Sequence, residues 1–336
     1  LESRAAREDD VIDLQPVEKV EIQVLVDNAT DILSSTPAHV ESEYASFPRR
    51  GFRSTGGRCL CCAAHGFSCL LTAYRGGERR TMLFDTGPEE YAFERNVARL
   101  AVDLGQVESI VLSHGHWDHA GAMLLALNMI RARNGAKSVP YYAHPDMFHE
   151  RGARLADGSV RLMENIPSVS ELTGFGADVI QTREPRALLD GMFVVSGEIP
   201  RVTSFEVGLP GQVRRTAYGR WEPDELLIDE RWIAVNVAGK GLVVLSACSH
   251  AGIVNVLTHA RASFPDVPIH AVMGGLHLSG TNERIIPQTV DGLRPFDLKT
   301  IAAGHCTGWR AMTALANAFG DQVLAPSAVG KRYTFQ

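Results

Sequence analysis

The chain has 336 residues, 45% of them hydrophobic and 21% charged, with a formal net charge of −6. That composition supplies a sizeable core, and the acidic balance speaks against a nucleic-acid binder, which carries a basic stripe. No run approaches the roughly 20 apolar residues of a membrane span, and the charged opening LESRAAREDDVIDLQP lacks the apolar stretch of a secretory signal. The expectation is a cytoplasmic protein without membrane or nucleic-acid partners, acting on a small molecule, with anionic substrates among the candidates; nothing in the chain sets its oligomeric state.

Residues 1–16 read as a flexible N-terminal segment and 17–336 as one domain. In chain order, VEIQVLVD alternates at period two, and FSCLLTAY, TMLFDTG, SIVLSH and VPYYAH follow as strands. Further on come GMFVVSG, RWIAVNVA, GLVVLSA, IHAVMGG and TIAAGH. Helical patterns lie between them: PEEYAFERNVARLAVDL, HAGAMLLALNMIRARN, AGIVNVLTHARASF and TGWRAMTALANAFG. In the second of these, Met123, Leu124, Leu127 and Ile130 recur at helical spacing. Strands this apolar are buried on both faces, so helices must cover sheets from outside, which predicts a layered α/β fold. Two stretches break the rhythm, 34–62 and 204–230. They are expected to be irregular insertions near a substrate mouth.

Six cysteines stand at 59, 61, 62, 69, 248 and 306. The cluster CLCCAAHGFSC has no second pair at finger spacing and reads as thiols beside a strand, kept reduced.

The chemistry concentrates in SHGHWDHAG, residues 113–121, which holds three of the 12 histidines. SIVLS is a strand and HAGAMLLALNMI a helix, so His114 to His119 occupy the turn between them. His114 and His116, two apart on extended backbone, project to one side. Asp118 and His119 open the helix, where Asp118 alone could serve as an N-cap. Three imidazoles packed with a carboxylate repel when protonated and compete for partners when neutral; an ion turns that liability into binding energy. The turn is therefore expected to hold metal.

HGHWDH resembles the H-x-H-x-D-H signature of the metallo-β-lactamase superfamily, which implies an αββα sandwich with metals at one edge. MLFDTG (Asp85, Gly87), LSACSHAG (Cys248, His250) and AAGHCTG (His305) resemble its other site-bearing strand ends. VLVDN, AAHGFSCLL, SGEIPR, ACSHAGIVN, GGLHL and GHCTG are similar to a branch named after 7,8-dihydropterin-6-ylmethyl-4-(β-D-ribofuranosyl)aminobenzene 5′-phosphate synthase. The resemblance implies one ion on His114, His116 and a later group, and a second on Asp118, His119 and His305. The later group stays open among His250, Cys248 and Glu198. The T-x-G-H-x-x-G motif of hydrolase relatives is absent, and VVSGEIPR with Glu198 takes its place in strand order. The usual bridging aspartate is replaced by Cys248, with His250 two residues on. Cys248 can equally be a packed thiol, and Glu198 can pair with Arg201. Asp85 is expected to hydrogen-bond a ligand or its loop, and His65 to approach the pocket. His277 either positions substrate and serves the leaving group or is a satisfied core histidine.

Zinc is the default ion for such ligands, two per chain, with manganese or iron as alternatives. The function implied is a metal-dependent hydrolase in which a metal-bound hydroxide, oriented by Asp118, attacks a phosphoester, lactone or related ester; phosphodiesterase and lactonase are the named examples. Two alternatives stand beside it: a pterin-related synthase or transferase, and a ligand-binding or regulatory protein with little turnover.

Overall fold

The structure, a computed structural model, describes residues 12–336. In chain order the first half contains β1 (Lys19–Val26), β2 (Val40–Glu41), β3 (Ser68–Arg75), β4 (Glu78–Phe84), α1 (Glu90–Arg99), β5 (Ser109–Val111), α2 (Trp117–Ala120), α3 (Met123–Arg131) and β6 (Val139–Ala143). Then come β7 (Arg151–Arg154), β8 (Val160–Leu162), α4 (Val169–Gly174) and β9 (Ala177–Gln181). The second half contains β10 (Arg186–Leu188), β11 (Phe193–Val195), β12 (Gln212–Arg215), β13 (Trp221–Pro223), β14 (Ile233–Val237) and β15 (Gly241–Ser246). It closes with α5 (Ile253–Ser263), β16 (Ile269–Gly275), α6 (Ile286–Leu293), β17 (Thr300–Gly304), α7 (Trp309–Phe319) and β18 (Arg332–Phe335).

An eight-stranded sheet runs β2-β18-β1-β3-β4-β5-β6-β9, and a six-stranded sheet runs β10-β11-β14-β15-β16-β17. Period-two alternation sends Ile22, Val24, Leu71 and Met82 of the first sheet and Ile233, Val235, Val243 and Leu245 of the second into one shared core. The opposite faces are apolar too. Leu83 and Ile110 meet Phe93, Leu127 and Ile130 of α1 and α3, while Ala234 and Val244 meet Ile253, Leu257 and Leu315 of α5 and α7. Each buried aliphatic or aromatic side chain here contributes on the order of 1.5–3 kcal/mol. The layers are thus helix, sheet, sheet, helix, as the resemblance implied.

A four-stranded sheet, β13-β12-β7-β8, lies outside those layers. It corrects the expectation that 204–230 is wholly irregular: the stretch contains the β12–β13 hairpin, registered Val213↔Pro223 and Arg215↔Trp221. Stretch 34–62 carries only the two-residue β2. The expected flexible segment lies for residues 1–11 outside the described residues; beyond them Ile12 and Leu14 pack on the helix-covered core, and the Gln15 N–H donates to the Gly191 carbonyl at 2.8 Å. Among the described residues no helix is long and apolar enough to cross a membrane.

Candidate metal centre

The loops that follow β1, β4, β5, β15, β16 and β17 gather at one edge of the sandwich and carry Asp27, Asp85, His114, His250, His277 and His305. Their backbones are taut. Asp85, Ser249, His277 and His305 all sit at positive φ, between 44° and 58°, a region that costs non-glycine residues energy and persists only where the surroundings enforce it. The turn after β5 is clamped as well. The Gly115 N–H donates to Asp229 and its carbonyl accepts from Arg151, whose guanidinium is buried between Asp224 and Asp229. A Cβ at Gly115 would lie 2.2 Å from both the Met147 carbonyl and Arg151 Nη1, so only glycine fits. Asp118 is not a cap: His116 occupies the N-cap position of α2, which leaves the Asp118 carboxylate free for the site.

Two groups of side chains converge within this edge. His114, His116 and His250 form one, and Asp118, His119 and His305 the other; in each group the potential ligand atoms lie within 4.8 Å of one another. His114 Nε2 is 3.1 Å from His116 Nδ1. Asp118 Oδ2 is 3.5 Å from His305 Nε2 and 3.8 Å from His119 Nε2. Cys248 Sγ lies 3.2 Å from both His119 Nε2 and His305 Nε2 of the second group, and clusters with His114 of the first, ligand atoms within 4.8 Å of one another. A tetrahedral ion with bonds near 2.1 Å separates its ligands by about 3.4 Å, so these spacings suit a divalent ion.

The outward ring atoms are fixed by hydrogen bonds, which sets the tautomers. His119 Nδ1 donates to Asp85 Oδ2 at 2.7 Å. His114 Nδ1 lies 2.9 Å from the Ser113 hydroxyl, which donates in turn to Asp85. His305 Nδ1 donates to Asn28 Oδ1 at 2.9 Å, and the Gln212 amide sits 2.6 Å from His116 Nε2. The contacts of His114, His119 and His305 leave the inward nitrogen with its lone pair, as carboxylate- or amide-supported metal histidines require; the Gln212 amide does the same for His116 when turned so that its otherwise unpartnered Oε1 accepts the Nε2 hydrogen. Burial pushes the pKa of His114, His116, His250 and His305 well below the ordinary value, so these rings are neutral. Burial opposes charge on His119 too, but the carboxylates of Asp118 and Asp85 outweigh it and raise its pKa.

His250 makes the sharpest case for an ion. Both of its ring nitrogens are buried without a hydrogen-bond partner, a state that costs about 1–3 kcal/mol unless something else binds them. Its ring centroid lies 4.8 Å from that of His114 and 5.0 Å from that of His116. Imidazole, carboxylate and thiol donors at these distances fit zinc-type ions.

Not every expected residue joins. Glu198 does not: its carboxylate is half-exposed and held by Arg183 at 2.9 Å and His144 at 3.0 Å, not by Arg201. Cys248 does join, and Asp85 takes the supporting place expected of it. His65 reaches the rim, with Nε2 3.6 Å from Asp118 Oδ2. His277 lies behind His250, ring centroids 4.3 Å apart, and faces the same cavity of about 450 Å³. Sequence reasoning passed over Asn28, Ser113, Gln212 and Cys306. Asn28 stood in the quoted VLVDN and Cys306 in GHCTG, so a polar residue at a strand's end or beside a site histidine was the available signal. Gln212 offered none.

A family model described as the metallo-beta-lactamase superfamily matches residues 66–200. The 7,8-dihydropterin-6-methyl-4-(beta-D-ribofuranosyl)-aminobenzene-5′-phosphate synthase of Methanocaldococcus jannaschii is 30% identical over 260 residues, 76% of this chain and 85% of its own. An uncharacterised protein of the same organism is 29% identical over 254 residues, 76% of this chain and 88% of its own. Among solved structures, Tm1679, described as a metal-dependent hydrolase of the beta-lactamase superfamily, superposes with a TM-score of 0.69 at 20% identity, covering 94% of this chain and 98% of its own.

Proposed function

Because this chain belongs to the metallo-β-lactamase superfamily, we propose that it is a metal-dependent hydrolase of a small-molecule phosphoester, lactone or related ester, with zinc as its ion. The observation that carries this reading is His250: two orphaned ring nitrogens in a nest of neutral imidazoles. A divalent ion held there would bring the pKa of bound water down to about 7 and would polarise a carbonyl or phosphoryl oxygen.

The chain's own groups do the rest. Asp118 Oδ2, which faces His65, His119 and His305, accepts a hydrogen bond from the attacking water and holds it in line. His277 is kept neutral by burial. The Asn282 amide lies 3.3 Å from its Nδ1, which leaves Nε2 as a donor to the leaving oxygen. Trp117, Met163 and Leu209 give the cavity apolar wall, and no lysine or arginine lines it among the described residues. That wall favours a neutral ester, a lactone or a singly charged phosphodiester over a dianionic phosphomonoester, which needs fixed positive charge. All six cysteines are unpaired, which suits the reducing cytoplasm in which we place the protein.

A panel of lactones, carboxylic esters and bis-p-nitrophenyl phosphate, assayed on the zinc-loaded protein, tests this reading. Turnover of a member, lost in His116→Ala, supports it. Full metal occupancy with no hydrolysis across the panel overturns it, and would turn attention to condensation on a pterin-related substrate, the second reading that the name of the 30%-identical relative favours.

A further inference from the structure

Cys306 has no part in the ligand set that the resemblance implied, yet the structure puts its thiol at the centre's edge. It follows His305 in a tight 3₁₀ turn, His305–Thr307. Its Sγ lies 3.4 Å from Cys248 Sγ, and both thiols face the cavity. Cys248, His305 and Cys306 present potential ligand atoms within 4.8 Å of one another. The backbone makes room for this: a Cβ on Gly275 would stand 2.6 Å from Cys306 Sγ and 3.1 Å from His305 Cδ2. Cys306 is half-buried, Cys248 fully so.

We propose that Cys306 is a metal ligand, and that Cys248, Cys306 and His305 form a sulfur-rich subsite for a thiophilic divalent ion of the zinc type. The inference rests on the metal-centre reading above and refines it: the two halves of the centre differ in chemistry. His114, His116 and His250 offer three imidazoles, a set open to zinc, iron or nickel. The other half adds two thiolates to His305, a set that disfavours manganese and magnesium. With Zn–S bonds near 2.3 Å, two thiolates on one tetrahedral ion stand about 3.8 Å apart, a small outward movement from the spacing found here. Ligation forms two metal–sulfur bonds and releases the two thiol protons to solvent.

Cobalt(II) substitution tests it without an activity assay. The wild-type protein should show visible d–d bands from the bound ion and near-ultraviolet charge transfer from thiolate to cobalt. In Cys306→Ser the charge-transfer intensity should fall by about half while the visible bands stay, and the Cys248→Ser/Cys306→Ser double variant should lose it altogether. Visible bands with charge transfer unchanged in Cys306→Ser overturn the proposal and leave the metal centre standing. No visible bands in the wild type overturn the metal centre itself. Peptide mapping after iodoacetamide treatment asks the same of the wild-type chain. Cys306 should react about tenfold more slowly with zinc present than after chelation, while Cys59 and Cys62 react alike in both. Equal Cys306 rates in both states overturn the proposal.

Discussion

His119 Nδ1 lies 2.7 Å from Asp85 Oδ2, with both side chains sealed from solvent. The same carboxylate accepts the Ser113 N–H at 2.8 Å and the Ser113 hydroxyl at 2.7 Å. One residue after β4 therefore orients two histidines of the neighbouring loop, His119 directly and His114 through Ser113.

Replacing Asp85 with Asn removes that acceptor charge while keeping the shape and the tolerance of positive φ, here 57°. Asp85→Asn should weaken zinc binding by about 10- to 100-fold, the usual cost of losing a supporting carboxylate. Competition with a chromogenic chelator reads it; affinity equal to wild type would contradict the role.

Gln212 ties the outer four-stranded sheet to the centre. Its side chain is buried and meets His116 Nε2 at 2.6 Å. Gln212→Leu should keep the fold, since β12 retains its pairing, and lower zinc affinity by about tenfold. An unchanged affinity would mean that the hairpin merely covers the site.

Gly66 is pressed against the helix that carries Asp118. A Cβ there would stand 2.3 Å from the Asp118 carbonyl oxygen and 2.7 Å from Pro88 Cδ. Gly66→Ala must shift the start of α2, and should lower both melting temperature and zinc affinity. Gly57→Ala, where an added Cβ meets nothing within 4 Å, is the control and should leave both unchanged. Equal behaviour of the two variants would remove Gly66 from the account.

Away from the centre, burial lowers the pKa of His259, whose Nδ1 accepts the Trp232 indole N–H at 3.3 Å. A depressed pKa in the folded state gives a contribution fully present above the unfolded value, near 6.5, and lost as pH falls through the folded value. Urea unfolding midpoints should therefore drop from pH 6.5 to 5 more steeply in the wild type than in His259→Gln. Parallel slopes would show that this ring does not titrate with folding.

The sandwich was legible because its strands and helices are apolar with clean periods. Ile22, Val24, Val243 and Leu245 announce a buried sheet, and Met123, Leu127 and Ile130 a covering helix. The turn 114–119 was legible because four of its ligand candidates are local. The rest depends on contacts that no local pattern encodes. Gln212 reaches His116 across 96 positions and Asn28 reaches His305 across 277. The strands of the third sheet are three or four residues of mixed polarity, such as RGAR and QVRR, too short for a period. Glu198 sits one loop away from the centre, and the arginine that neutralises it, Arg183, could not be told from Arg201 by spacing alone.

Elemental analysis of the purified, zinc-reconstituted chain tests the central claim most directly. Convergence of His114, His116 and His250 with Asp118, His119, His305 and Cys248 predicts about two ions per chain, falling to about one in His250→Ala. A wild-type chain that emerges from gel filtration without stoichiometric metal would contradict it.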